Sequence, residues 1–394
     1  MQNGYFFIIF AEYDKSLFMK IVIASDSYKG SLSSLAVAEA ASEGILSVML
    51  DAEVVPVSVA DGGEGLTESL VHGLGGEIVK KVVSDPLFRP YEAFYGRKGD
   101  IAIVEMAAAS GLPILSDDER NPMKTTTLGT GELMMDAIEN GCRKFLVGMG
   151  GSATNDAGTG MLNALGWRFL DKDGNELKGI GESLARIVEI DDSAVDARVR
   201  ECEFTVACDV RNPFCGPRGA AYVFGPQKGA TEEMVKSLDE GLANFAVVIN
   251  RKYGIDIKDS EGAGAAGGMG GAFRAFLPAT LRSGIEMVLD TIGFDKILDG
   301  ADLVITGEGK VDHQTPSGKT AAGVLRRAEK YGVPCVAIGG KVAMCPELEN
   351  SGFAGIFAIV DGPCTLQEAM KDEVAYANVR RTAAQIVSLI NRFR

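Results

Sequence analysis

Histidine is nearly missing from this chain: His72 and His313 are the only two in 394 residues. That argues against a His-ligated metal centre and against a His-based nucleophilic triad. Cysteine occurs seven times but never as a CxxC pair, and the number is odd. A disulfide framework and a zinc signature are therefore not expected, and reduced thiols fit a cytoplasmic location. Positive charge is in deficit, with 39 Lys and Arg against 54 Asp and Glu, for a net charge of −15. Phosphate backbones are held by basic surfaces, so no nucleic-acid partner is expected. No run reaches the ~18 apolar residues of a membrane span, so no membrane partner is expected either. The run Phe6-Phe-Ile-Ile-Phe10 is too short for a span or a good secretion signal. A clean strand begins at Met19, and residues 1–18 are expected to be an extension outside the core fold.

What the chain has in quantity is glycine, 49 residues, much of it clustered beside apolar runs. Clustered Gly in such a setting means tight turns and close backbone approaches. Short, nearly continuous apolar runs stand at 21–24, 54–59, 101–104, 145–147, 204–207, 303–305, 335–338 and 356–360. Runs of this kind read as strands buried on both faces. Helical stretches separate several of them, so the fold class is α/β. Ser31 or Ser33 caps an expected helix running to about Leu50, with Leu35, Ala38, Ala41, Ile45 and Val48 on one face. Further helices are expected over 131–140, stopped by Gly141, and over 320–331, stopped by Gly332. The stretch 366–393 reads as helical in two pieces.

The strand runs lead into Asp26, Asp61, Glu105, Gly148, Asp209, Gly307-Glu308, Gly339-Gly-Lys341 and Asp361-Gly362. Each turn alone reads equally well as a helix cap. Eight together strain that reading, because ligands of open α/β sheets bind beyond the carboxyl ends of the strands. Asp26-Ser-Tyr-Lys-Gly-Ser31 offers an acid and a lysine at a helix start. Asp61-Gly-Gly-Glu-Gly65 sets two acids around paired glycines, and Asp61 or Glu64 suits Mg²⁺ or general-base work. Thr127-Leu-Gly-Thr-Gly131 suits a carboxylate or phosphate at a helix start.

Gly148-Met-Gly-Gly-Ser-Ala-Thr-Asn-Asp156 lets backbone approach a ligand, with Ser152, Asn155 and Asp156 as polar tips. It is not the dinucleotide fingerprint. Asp209, Arg211 and Lys228 can build a charged pocket. Ser317-Gly-Lys-Thr320 looks like the tail of a P-loop, but His313 stands where the leading Gly is required. Gly318 and Lys319 remain a plausible anion loop, with Glu308 and Asp312 able to hold Mg²⁺. Acids, Gly-rich loops and cations together are the parts of a phosphoryl-transfer site. The residues alone leave nucleotide and acceptor unspecified.

In this order, the segments resemble the glycerate kinase family of bacterial type I enzymes. The resemblance rests on Asp26–Ser31, Asp61–Gly65, Thr127–Glu132, Gly150–Asp156, Cys208–Pro213, Gly262–Gly271 and Thr306–Asp312 with Gly318-Lys319, and covers about residues 19–390. It implies ATP- and Mg²⁺-dependent phosphorylation of D-glycerate at the 2-hydroxyl, with a kinase that forms 3-phosphoglycerate as the alternative. It also implies two α/β domains, one Rossmann-like with a parallel sheet built from both chain ends (19–75 and 286–394), the other inserted (76–285). The active site is then expected in the cleft between them. By the resemblance, Lys29, Arg211 and Lys228 neutralise the carboxylate or the phosphoryl group. Asp61, Glu64 or Asp209 takes the metal or the hydroxyl proton. Asp26, Ser27, Gly62, Gly63, Gly150, Gly151, Ser152, Asn155, Asp156, Gly307 and Glu308 line the substrates. A homodimer stays open. The rival readings are a dehydrogenase and a non-catalytic ligand sensor on a Rossmann-like fold.

Overall fold

The computed structural model describes residues 18–317 and 320–393. The expected extension at 1–18, apart from Phe18, lies outside them, as do Gly318 and Lys319. In chain order the strands are β1 (Lys20–Ser25), β2 (Glu53–Ser58), β3 (Glu77–Ser84), β4 (Pro90–Lys98), β5 (Ile101–Glu105), β6 (Lys144–Gly148) and β7 (Arg168–Leu170). There follow β8 (Glu189–Asp191), β9 (Glu203–Ala207), β10 (Ala279–Arg282), β11 (Leu303–Val311), β12 (Cys335–Val342) and β13 (Gly355–Ala358).

Two main sheets form. The first has five strands in the order β13-β12-β11-β1-β2. All its pairings are parallel. Counted by appearance within the sheet, this is the doubly wound order 2-1-3-4-5, whose topological switch point lies between β1 and β11. β1 is buried along nearly its whole length, which is why Ile21 to Ala24 carry no polar side chain. Pro56, which has no N–H to give a ladder, sits in β2 at the sheet edge, where one side of the strand is unpaired. The second sheet runs β10-β9-β6-β5-β4-β3. Its β5, β6, β9 and β10 are parallel, while β3 and β4 are antiparallel additions. The chain therefore starts in the first sheet, builds the second, and returns.

Each of the eight apolar runs falls in a strand, apart from Val59, Ile359 and Val360 at the ends of two of them. Strands β1, β5 and β6 extend one residue past their runs, to Ser25, Glu105 and Gly148, and two extend further, β11 to Val311 and β12 to Val342. Glu308 and Gly339 to Lys341 consequently lie within strands, not in the turns after them. The first helix is capped by Ser33, whose hydroxyl accepts from Ala36 N at 3.2 Å, and covers Ser34–Leu46. It ends short of the expected Leu50, leaving Val48 exposed. A Cβ at Gly44 would stand 2.0 Å from Arg380 O. Only Gly lets this helix cross the C-terminal helix Asp372–Asn391 so closely. The helices Leu128–Glu139 and Thr320–Lys330 end at the expected glycines, and 366–393 does divide, into Leu366–Ala369 and Asp372–Asn391. Among the described residues, no helix is long and apolar enough to cross a membrane.

Candidate functional site

Three cavities adjoin at the carboxyl end of β1. The first, of about 400 Å³, lies over the ends of the first sheet's strands. The second, of about 470 Å³, lies between the first helix and Glu64, Glu68 and Glu105. The third, of about 360 Å³, takes Asp61 to Glu64 from the first-sheet segment and Gly150 to Ser152, Asp209 and Lys228 from the second. Lys29 is on the wall of all three. Asp26 is shared by the first and second, Asp61 by the first and third, and Glu64 by the second and third. The turn residues met separately along the sequence thus converge on one place.

Asp26 is buried just beyond β1. Its Oδ1 accepts from Ser27 N at 2.7 Å and its Oδ2 accepts from the Thr320 hydroxyl at 2.7 Å. Burial, followed by the charge of Asp61, holds its carboxyl above the ordinary range. Two neighbouring carboxylates of this kind repel each other, and a divalent cation relieves the repulsion. Asp61 Oδ1 accepts from Gly63 N at 3.1 Å, which shapes the loop before the helix Leu66–Leu74. That loop lies directly on the second sheet. A Cβ at Gly62, whose φ is +91°, would stand 2.4 Å from Ala207 Cβ, and one at Gly150 would stand 2.7 Å from Gly63 Cα. Gly62 and Gly150 are needed for this crossing, beyond any need of the turns themselves. Glu105, at the end of β5, reaches across to accept from Thr67 N at 2.6 Å, and burial raises its carboxyl.

In the third cavity Lys228 is 2% exposed. Its Nζ donates to Ser152 Oγ and to Thr154 O, both at 2.6 Å. Burial lowers its pKa to about 7, against a smaller opposing pull from Asp156. A neutral amine has two N–H groups, and both are used here. Protonation would add a third. Asp209 Oδ1 accepts from Gly284 N at 3.1 Å, tying the end of β9 to the helix that leads back to the first sheet.

Some expected residues lie off these walls. Arg211 is exposed and lines none of the three cavities. Gly307 is buried beneath the first, where its carbonyl accepts from Asp26 N at 2.9 Å. Asp156 is fully buried, and its carboxylate accepts from Thr127 N, Thr127 Oγ1, Gly158 N and Gly160 N. It organises the Gly-rich loop from behind. Asn155 is also buried, with neither amide atom hydrogen-bonded among the described residues. Thr127 and Thr320, read from the sequence as parts of possible anion loops at helix starts, instead fix Asp156 and Asp26. Among the described residues, no three His, Cys, Asp or Glu gather as a ready metal cage. Mg²⁺ does not demand one, since it is held by one or two carboxylates with phosphates and water.

A doubly wound parallel sheet, a second mixed sheet and adjoining cavities lined by carboxylates, lysines and glycine loops define an α/β protein with its cavities at the strand ends. A family model described as the glycerate kinase family matches residues 21–391. The chain is 46% identical over 375 residues to "Glycerate kinase" of Bacillus subtilis (strain 168), covering 94% of this chain and 98% of that one. It is 44% identical over 375 residues to "Glycerate 2-kinase" of Escherichia coli (strain K12), with the same coverage of 94% and 98%. The crystal structure of a candidate glycerate kinase 2 from Salmonella typhimurium LT2 superposes with a TM-score of 0.87 at 44% identity, over 95% of this chain and 99% of that one. The chain belongs to the glycerate kinase family.

Proposed function

We propose that this chain catalyses ATP-dependent phosphorylation of D-glycerate at its 2-hydroxyl, forming 2-phosphoglycerate. The observation that carries this reading is the meeting of three cavities at Lys29, with Asp61 common to the first and third. One cavity takes the nucleotide, another the acid, and the phosphoryl group passes between them. The name of the Escherichia coli relative supports the 2-hydroxyl. The test is direct: ADP release with ATP, Mg²⁺ and D-glycerate, and NMR of the product. No ADP release would refute the kinase reading, and 3-phosphoglycerate would refute the regiochemistry.

The division of labour follows from the walls. Lys29 faces the transferring group, where phosphoryl transfer relies on positioning and charge. Asp61, beside both cavities, receives the hydroxyl proton or orients the hydroxyl. Mg²⁺ would be held by Asp26 and Asp61, with Glu64 near, and would neutralise charge on the phosphates. Asp209 is better placed to hold the third cavity's shape than to hold metal, because one oxygen already anchors Gly284. Gly62, Gly63, Gly150, Gly151 and Ser152 line the acid's cavity. The two sheets support a division into domains near residues 75 and 285, and a cytoplasmic location fits the reaction.

Lys228 is the carboxylate's partner in this reading, and it makes a pH prediction. Its pKa of about 7 lies below the ordinary 10.5, so above pH 7 the free enzyme holds it mostly neutral. A bound carboxylate favours the charged form and raises the pKa. Binding D-glycerate at pH 8 therefore takes up close to one proton, and at pH 6, where Lys228 is already charged, almost none. Calorimetry in buffers of different ionisation enthalpy reads this directly. KM for D-glycerate should rise by up to about tenfold per unit above pH 7. Lys228→Met should abolish both effects. Equal proton uptake by wild type and variant would remove Lys228 from this role.

A further inference from the structure

The first cavity runs across the strand ends from β1 to the far edge of its sheet. It begins at Asp26 and Lys29 after β1, passes Lys310 in β11 and Lys341 in β12, and reaches Ile359 and Val360 after β13. Three strand spacings separate its ends, about 14 Å. The two ends differ in chemistry. Near β1 the wall is charged and adjoins the other two cavities. Near β13 it is apolar at Ile359 and Val360, and Leu366 and Met370 of the C-terminal segment line the same cavity.

That apolar wall is built on ordered structure. The short helix Leu366–Ala369 has a capping box, in which Thr365 and Glu368 satisfy each other's backbone N–H groups. Met370 follows it and packs on the β1 turn, where a Cβ at Gly30 would stand 2.9 Å from its Cε. Leu366 is 75% exposed at the cavity, a large apolar side chain with little protein over it.

We propose that Ile359, Val360, Leu366 and Met370 form the base subsite for the adenine of ATP, with the triphosphate lying along the ends of β12 and β11 towards Lys29. This rests on the ATP-dependent reading above and adds the direction in which the nucleotide lies. A flat heteroaromatic base suits an apolar slot, and the cations at Lys341 and Lys29 suit the phosphates, with Lys310, ion-paired to Asp312 at 2.6 Å, between them. The switch point between β1 and β11 puts the reacting end beside the other cavities. The second cavity is a poorer nucleotide site, because Lys29 alone stands there against Asp26, Glu64, Glu68 and Glu105, whereas the first sets Lys29, Lys310 and Lys341 against Asp26, Asp61, Glu308 and Asp312.

The test uses two full-length variants: Ala369→Trp, which fills the slot that Ala369 lines beside Leu366 and Met370, and Leu366→Asp, which places a charge against the base. MgATP and magnesium tripolyphosphate are each titrated by calorimetry without D-glycerate. In both variants MgATP should bind roughly tenfold or more weakly, as expected for losing one buried aliphatic contact. Tripolyphosphate affinity and KM for D-glycerate should stay within about twofold. An equal loss for tripolyphosphate, or a MgATP loss below threefold, overturns the assignment. Leu366 is exposed, so Leu366→Asp decides alone if Ala369→Trp melts at a lower temperature. Wild type that binds MgATP without releasing ADP on D-glycerate would sink the acceptor reading and leave the base-subsite comparison intact.

Discussion

Lys29→Met is expected to lower kcat with D-glycerate by about 10²–10³-fold, the usual loss when one preorganised charge at a reacting oxygen is removed. Lys29 stands on the wall of all three cavities, so its ammonium is near whatever crosses between them. Its position follows from local structure: β1 ends at Ser25, the chain turns through the buried Asp26 and Tyr28, and the Tyr28 hydroxyl donates to Ile338 O at 3.3 Å. The turn is pinned on both sides of the lysine, since Ser31 N donates to Tyr28 O at 2.8 Å. The KM values should move far less than kcat, because charge accumulates on the phosphoryl oxygens in the transition state. Lys29→Arg should recover part of the rate. A kcat within fivefold of wild type would show that the transferring group lies elsewhere.

Gly267→Ala should destabilise the protein by at least about 3 kcal/mol, from a left-handed backbone strain and an overpacked contact acting together. The segment Gly262–Gly271 holds three consecutive left-handed residues, Ala266 (φ 50°), Gly267 (φ 69°) and Gly268 (φ 94°). Gly267 O accepts from Ala157 N at 3.0 Å, so the two Gly-rich loops brace each other. A Cβ at Gly267 would stand 2.0 Å from Thr154 O. That carbonyl is also the acceptor for Lys228, so the substitution should disturb the lysine together with the fold. Urea denaturation gives the stability, and the proton-uptake experiment reads the lysine. Unchanged stability would mean that the loop relaxes without cost.

The first sheet and β5, β6 and β9 of the second were legible because burial on both faces forces continuous apolar runs, as in β1 and β9. β3 and β4 escaped notice because neither is a continuous buried run: β3, at the sheet edge, is mostly exposed, and β4 is buried only in part. Val83 is buried while Lys80 and Lys81 are exposed, and a search for continuous apolar runs passes over such a pattern. The site's acids and glycines were legible as turn residues after strands. Their division between wall and support was not. Asp156 and Asp26 look alike in sequence, both being acids in polar, Gly-containing turns. What separates them is that four N–H or O–H groups converge on Asp156, while Asp26 keeps a place on two cavity walls. Thr127 was legible as a loop residue but not as the partner of Asp156, 29 positions on, because no local pattern pairs the two.

The placement of β1 between β2 and β11 also sets an order of assembly. The hydroxyl of Thr306 in β11 reaches Ala24 O across a sequence separation of 282 residues. A chain emerging from the ribosome therefore carries β1 and β2 with one edge unpaired until β11 arrives. The second sheet and its own core can be complete before then, as domains generally fold as units during synthesis. The exposed edge of β1, apolar on both faces, is the segment most in need of protection over that interval. Late closure of so long a loop makes this sheet the slower of the two to form.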